Sequence, residues 1–305
     1  MFGLIFNYTL LFGAILLFGA LSGVISERVG IVNIGIDGMM CFGAVFFGIF
    51  SAPLFKLSQF GPGTLIMVLM LTMLCTTIAG AMHAFATIKL KANHIISGTA
   101  INSIGLPLAM FLNNPLGMSL YNSVNLNAGY SDFLYVGSSI YGSSIIIFVI
   151  ALLVAGGIYF FMVFTKTGLR YCAIGENPNA VDAQGINVHK YQWCGVIVSS
   201  MFAGLAGGLF LFMVHQFQGN TQGLGYLSLA ILIAGGWKVE WIAIVSTCFA
   251  LFTALPKTVV LTNMGVPNAV SYALPYLITL VTILAFSKRV KPPAHTGIPF
   301  DKEQR

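Results

Sequence analysis

Four runs of about twenty or more residues, at 5–24, 63–88, 142–164 and 268–287, carry no formal charge, and a hydrocarbon core about 30 Å thick needs about 20 residues of helix to cross it. Lipid offers backbone amides no hydrogen-bond partner, so a spanning segment must be a helix or part of a closed barrel. Continuous apolar stretches lack the alternation of barrel strands. The chain therefore reads as an all-α, polytopic transmembrane helical bundle. Its 305 residues are 57% hydrophobic and only 7% charged, against roughly 25% charged in soluble domains, so a soluble fold is excluded.

Nine apolar segments are expected, at 5–24, 31–51, 63–88, 93–113, 142–164, 191–216, 224–237, 239–256 and 268–287. Ala20-Leu21-Ser22 has the small residues of a signal cleavage site, but the stretch before it lacks a basic start, so it reads as a retained first helix. With the N-terminus outside, one face collects Arg28, Lys89, Lys91, Lys166, Arg170, Lys190, Lys238, Lys288, Arg289, Lys291, Lys302 and Arg305, and the other only Lys56 and Lys257. Basic residues gather in cytoplasmic loops. This orients residues 1–287 as a plasma-membrane domain with a cytoplasmic loop at 165–190, an extracellular loop at 114–141 and a cytoplasmic tail at 288–305. Segment 224–237 is short and leads straight into Lys238 and Glu240; nine crossings are expected, with a re-entrant or broken helix there as the alternative.

The net charge of +6 does not signal nucleic acid, because the basic residues are spread along loops without interleaved aromatics. Cys41, Cys75, Cys172, Cys194 and Cys248 show no CxxC spacing and read as packing residues, with no metal site. No Gly-x-x-x-x-Gly-Lys-Ser/Thr loop, His-Glu-x-x-His or nucleophile elbow is present, so neither ATP hydrolysis nor another catalytic activity is expected of this chain.

Three stretches depart from plain anchor composition. Residues 25–40 place charge and glycine inside an apolar region. Asp37 there needs a partner, a polar cavity or a helix N-terminus, and Gly30, Gly35 and Gly38 permit a broken helix. The plain reading is that Glu27 and Arg28 form a loop ion pair and Asp37 caps the next helix. In the loop 165–190, Asn177 and Pro178 open a short surface helix that Gly185 closes, a handle for a soluble partner or else a solvated linker. In residues 219–230, Gly223 and Gly225 do not form a dinucleotide loop, since no strand precedes them; they allow a helix to start at mid-membrane or neighbours to pack closely. Gly19-x-x-x-Gly23 and Gly204-x-x-x-Gly208 suit close packing as well. His83, His94 and His215 read as hydrogen-bonded packing residues rather than a proton relay.

Ser26 to Met40 resembles the Ser-Glu-Arg-x-Gly-Val-Val-Asn-Ile-Gly-Ile-Glu-Gly-Met sequence of nucleoside permeases, in the ABC importer family that also carries ribose and branched-chain amino acids. Ala92 to Ser97 is similar to that family's Ala-Asn-Glu-Val-Ile-Ser, Gly168 to Gly185 to its Gly-Leu-Arg...Gly-Glu-Asn-Pro...Gly-Ile loop, and Gly223 to Trp237 to its Gly-x-Gly-Phe...Ala segment. Asp37 and His94 stand where the family usually has Glu, and Gly235-Gly236-Trp237-Lys238 is a looser match. The resemblance implies a type II importer-like permease that pairs with a second permease, a heterodimer being usual. It implies an ABC ATP-binding subunit that holds ATP and Mg, so that this chain needs no cofactor, and a lipid-anchored binding protein outside. Gly168, Arg170, Gly175, Glu176, Asn177, Pro178 and Gly185 would then couple to the ATPase, and Asn33, Asp37, Asn93, Ser97 and Asn102 are the candidates for the solute path. Nucleosides are the expected cargo, with a pentose or a branched-chain amino acid as the alternative. The rival of another class is an ion-coupled secondary transporter using Asp37 and the histidines.

Overall fold

The computed structural model describes residues 2–56, 62–113, 135–136, 140–214, 219–257, 267–286 and 291–301. Nine apolar helices occupy the nine expected segments: α1 (Phe2–Glu27), α2 (Ile36–Lys56), α3 (Pro62–Ala84), α4 (His94–Asn113), α5 (Gly142–Phe164), α8 (Val188–Val214), α9 (Leu224–Ala234), α10 (Val239–Ala254) and α11 (Asn268–Phe286). Two short helices, α6 (Lys166–Glu176) and α7 (Pro178–Ala183), lie between α5 and α8. A π-helical turn, Phe85–Lys89, extends α3. The expected extracellular loop falls outside the described residues except for Tyr135–Val136 and Ile140–Tyr141, which pair antiparallel.

Helix α1 is the axis of the bundle: it is buried over most of its length, whereas α5 and α3 are largely exposed along their outer sides. Helices α8 and α10 run antiparallel to it. Ser22 meets Ser199 at 3.1 Å on α8, and Gly13 lies under Ala250 of α10. Helix α1 ends where Gly30, at φ +86°, turns back so that its N–H reaches the Glu27 carbonyl at 3.0 Å, a conformation glycine adopts without a Cβ penalty.

Lipid tails are as apolar as leucine, so these helices are held by close approach rather than by exclusion from water. Small residues make the seams. Gly19 sits against Ser228 and Gly23 against Leu232, which runs α9 parallel to the second half of α1; Gly204 packs between Gly43 and Thr76. A methyl on Gly38 would lie 2.7 Å from the Asn102 backbone. Gly38→Ala is therefore expected to lower permease stability by about 1–3 kcal/mol, the usual cost of overpacking, read as a lower midpoint of thermal unfolding in detergent.

The short segment at 224–237 resolves as a broken helix. Helix α9 has 11 residues, about 16 Å at 1.5 Å per residue, half of a hydrocarbon core. It starts about halfway along α1 and ends at a tight turn, Gly236 φ +64° and Trp237 φ +56°, beside Glu27. Helix α10 then returns to the opposite end. Helix α8 and the tail segment 291–301 can thus meet at the Glu27 end, with α9 supplying half a pass between them.

Candidate solute path and coupling face

Two helices begin inside the bundle, and Asp37 joins their starts. It sits in the first turn of α2, yet its carboxylate serves the other helix, accepting from Thr221 Oγ1 at 2.6 Å and from Gly225 N at 3.0 Å. A carboxylate at a helix N-terminus meets free N–H groups and the positive end of the dipole. Gly225 abuts the Asp37 Cα, where no side chain would fit, and Gly223 takes φ +73° to start α9.

Asn102, on α4, ties the same region from the side. Its Oδ1 accepts from Gly38 N at 2.7 Å, and its Nδ2 donates to the Ile34 carbonyl at 3.0 Å and to Tyr226 Oη at 3.1 Å. Tyr276 on α11 donates its hydroxyl to the Gln222 carbonyl. Tyr226 and Tyr276 are 50% and 45% exposed. Their hydroxyls are held while much of each ring stays open. Thr99, Ser103, Asn220 and Gln222 are exposed as well. Polar groups at membrane depth belong against protein or water rather than lipid, so this face is not a lipid surface.

Of the expected path residues, Asp37 and Asn102 meet here. Asn33 lies beneath, fully buried, with Nδ2 3.0 Å from Ser199 Oγ and 3.4 Å from Met39 Sδ. Its Oδ1 has no partner among the described residues. Ser97 sits further toward the Glu27 end, 2.9 Å from His83 Nδ1. Asn93 caps α4, accepting from Ile95 N at 2.8 Å. Thr221, Gln222, Tyr226 and Tyr276 were not singled out from sequence; a tyrosine three residues after Gly223 was the available signal for one of them.

The histidines stabilise the α1–α2 link: His83 Nε2 lies 3.0 Å from the Val32 carbonyl, and Val32 N donates to His94 Nδ1 at 3.3 Å. His215 lies outside the described residues. The expected Glu27–Arg28 ion pair does not form. Trp237 Nε1 donates to Glu27 at 2.5 Å, and Arg28 donates to the Trp237 carbonyl at 2.7 Å, because the α9–α10 turn brings one residue against both.

Around the loop 165–190, Thr165 caps α6 by accepting from Gly168 N at 2.9 Å. Gly168, Tyr171, Ile174 and Gly175 form its buried side. Tyr171 donates to the Ile25 carbonyl, and burial raises its phenol pKa above the ordinary value. Gly175 faces the Arg28 carbonyl so closely that a methyl there would lie 2.5 Å from it. Asn177 ends α6 and caps α7, accepting from Ala180 N at 3.0 Å with Pro178 in the first turn; Gly185 follows at φ +79°. Arg170, Glu176 and Asn177 are exposed. Among the described residues no group of three His, Cys, Asp or Glu could hold a metal.

A full-length helix and a half-length one that both start at an open polar face inside an apolar bundle suit the membrane subunit of a transporter. The family model for the permease component of the branched-chain amino acid transport system matches residues 5–283, and the chain belongs to that family. It is 30% identical to the nucleoside ABC transporter permease protein NupC of Lactococcus lactis subsp. cremoris (97% of this chain, 96% of that one) and 30% to the guanosine ABC transporter permease protein NupQ of Bacillus subtilis (97% and 96%). It is 38% identical to the uncharacterized protein MG121 of Mycoplasma genitalium (95% of each chain). No solved structure matches. The protein is an ABC importer permease, a transport component rather than an enzyme.

Proposed function

We propose that this subunit imports nucleosides, with ATP hydrolysed by a separate ABC subunit that holds ATP and Mg. The observation that carries the reading is the open face where the starts of α2 and α9 meet, bearing Asn102, Gln222, Tyr226 and Tyr276. Amide and hydroxyl groups beside open aromatic rings suit a ribose and a planar base. The names of the two 30% identical relatives favour this cargo over a pentose or an amino acid.

The same face supports a second permease as partner, since polar side chains at that depth need protein or water opposite them. A lipid-anchored binding protein outside would deliver solute. The basic residues Arg28, Lys91, Lys166, Arg170 and Lys190 favour the Glu27 end as cytoplasmic, with the tail, α6 and α7 there. The exposed rim of α6 and α7, from Arg170 through Asn177, would receive the ATPase, while Gly168, Gly175, Pro178 and Gly185 shape it.

The test is uptake of labelled guanosine, uridine and ribose by cells with this subunit deleted or restored, each with and without the partner ATPase. Nucleoside uptake lost in both defects is expected. Uptake that outlives the ATPase sinks the ATP-driven reading, and uptake of ribose alone sinks the nucleoside cargo.

A further inference from the structure

The tail segment 291–301 crosses four parts of the bundle at the Glu27 end: α6, the start of α8, and the α1–α2 and α3–α4 links. His295 N donates to the Gly175 carbonyl at 2.8 Å, Gly297 N to the Gly30 carbonyl at 2.9 Å, and Ala294 N to the Glu176 carboxylate at 3.2 Å. Phe300, 5% exposed, packs against the His189 ring at 5.4 Å between centroids. Asp301 pairs with Lys91 at 2.7 Å. Lys91 lies in the α3–α4 link with φ +51°, a left-handed backbone that few residues other than glycine adopt.

We infer that residues 291–301 clamp the end of α6 to the α1–α2 and α3–α4 links, with Lys91, Asp301 and Glu176 as positioning residues for coupling. The inference rests on the importer reading. Without the clamp, α6 meets the bundle through Tyr171 and, at the α1–α2 link, only through the packing of Gly175 on the Arg28 carbonyl; the tail adds hydrogen bonds from Gly175 and Glu176 across to Gly30. With it, a displacement of α6 by a docked ATPase is carried through Gly175, His295 and Gly297 to Gly30, seven residues before Asp37. Movements of this kind pass through packed elements that shift as units.

The pair is partly open to solvent, Lys91 being 47% and Asp301 18% exposed, so screening limits its worth to folding, and permease level in the membrane checks that Asp301→Lys breaks the clamp and not the fold. In the assembled importer, Asp301→Lys is expected to lower solute moved per ATP hydrolysed by about fivefold or more, with permease level and ATPase co-purification unchanged. The double variant Lys91→Asp/Asp301→Lys restores most of it. Asp301→Lys matching wild type, or a double variant no better than the single one, overturns the clamp. Should Asp301→Lys fail to accumulate, Lys91→Gln removes the charge without reversing it; loss of coupling there supports the clamp and wild-type coupling overturns it. Absence of ATP-dependent uptake in the wild-type importer would count against the importer reading instead.

Discussion

Asp37→Ala is expected to insert normally and yet to transport at about one hundredth of the wild-type rate. The substitution removes the acceptor for both Thr221 Oγ1 and Gly225 N. A hydrogen bond to a charged group contributes about 1.5–3 kcal/mol, and a buried donor left without a partner adds a penalty. About 3 kcal/mol at the junction of α2 and α9 corresponds to about a hundredfold, at 1.4 kcal/mol per factor of ten. The loss falls on transport rather than insertion because the apolar spans that drive insertion are untouched. Asp37→Asn keeps one carbonyl oxygen and is expected to fall between the two. Asp37→Glu keeps a carboxylate, one methylene further out, and is expected to transport measurably. Initial rates of nucleoside uptake, normalised to permease in the membrane, check the series; an Asp37→Ala rate within threefold of wild type would remove the junction from the mechanism.

The second large effect is expected at the two tyrosines. Base–aromatic stacking is worth about 1–3 kcal/mol per base, so Tyr226→Leu or Tyr276→Leu should each cost about tenfold or more in maximal nucleoside uptake. Phenylalanine separates the ring from the hydroxyl. Tyr226→Phe loses the bond from Asn102 and Tyr276→Phe the bond to Gln222, but each keeps the face on which a base can lie, and uptake within about threefold is expected. If leucine and phenylalanine behave alike, the hydroxyls matter as anchors and the rings do not face solute.

Most of the bundle was legible because absence of charge is a local signal: nine apolar runs became nine helices. The half-length of α9 was ambiguous, since fourteen apolar residues suit either a short crossing or a broken helix, and only contact with α1 distinguishes them. Asn177, Pro178 and Gly185 marked α7 correctly, whereas α6 was passed over within a charged stretch, although Gly168, Tyr171, Ile174 and Gly175 fall at helical spacing on its buried side. The site was less legible, because its partners are remote in sequence. Asp37 meets Thr221 and Gly225. Glu27 and Arg28 look like a pair until Trp237, more than two hundred residues on, takes both. Asn93, polar and suggestive, caps its own helix.

The central position of α1 also bears on how the molecule is made. Its neighbours α8 and α10 lie about 160 to 240 residues later in the chain, so during synthesis α1 enters the bilayer long before they exist. It must therefore be content in lipid first and in protein afterwards. Its mean hydropathy of 2.1 and the absence of any polar stripe suit both surroundings, and the later helices can close around it without α1 having to turn or leave the membrane.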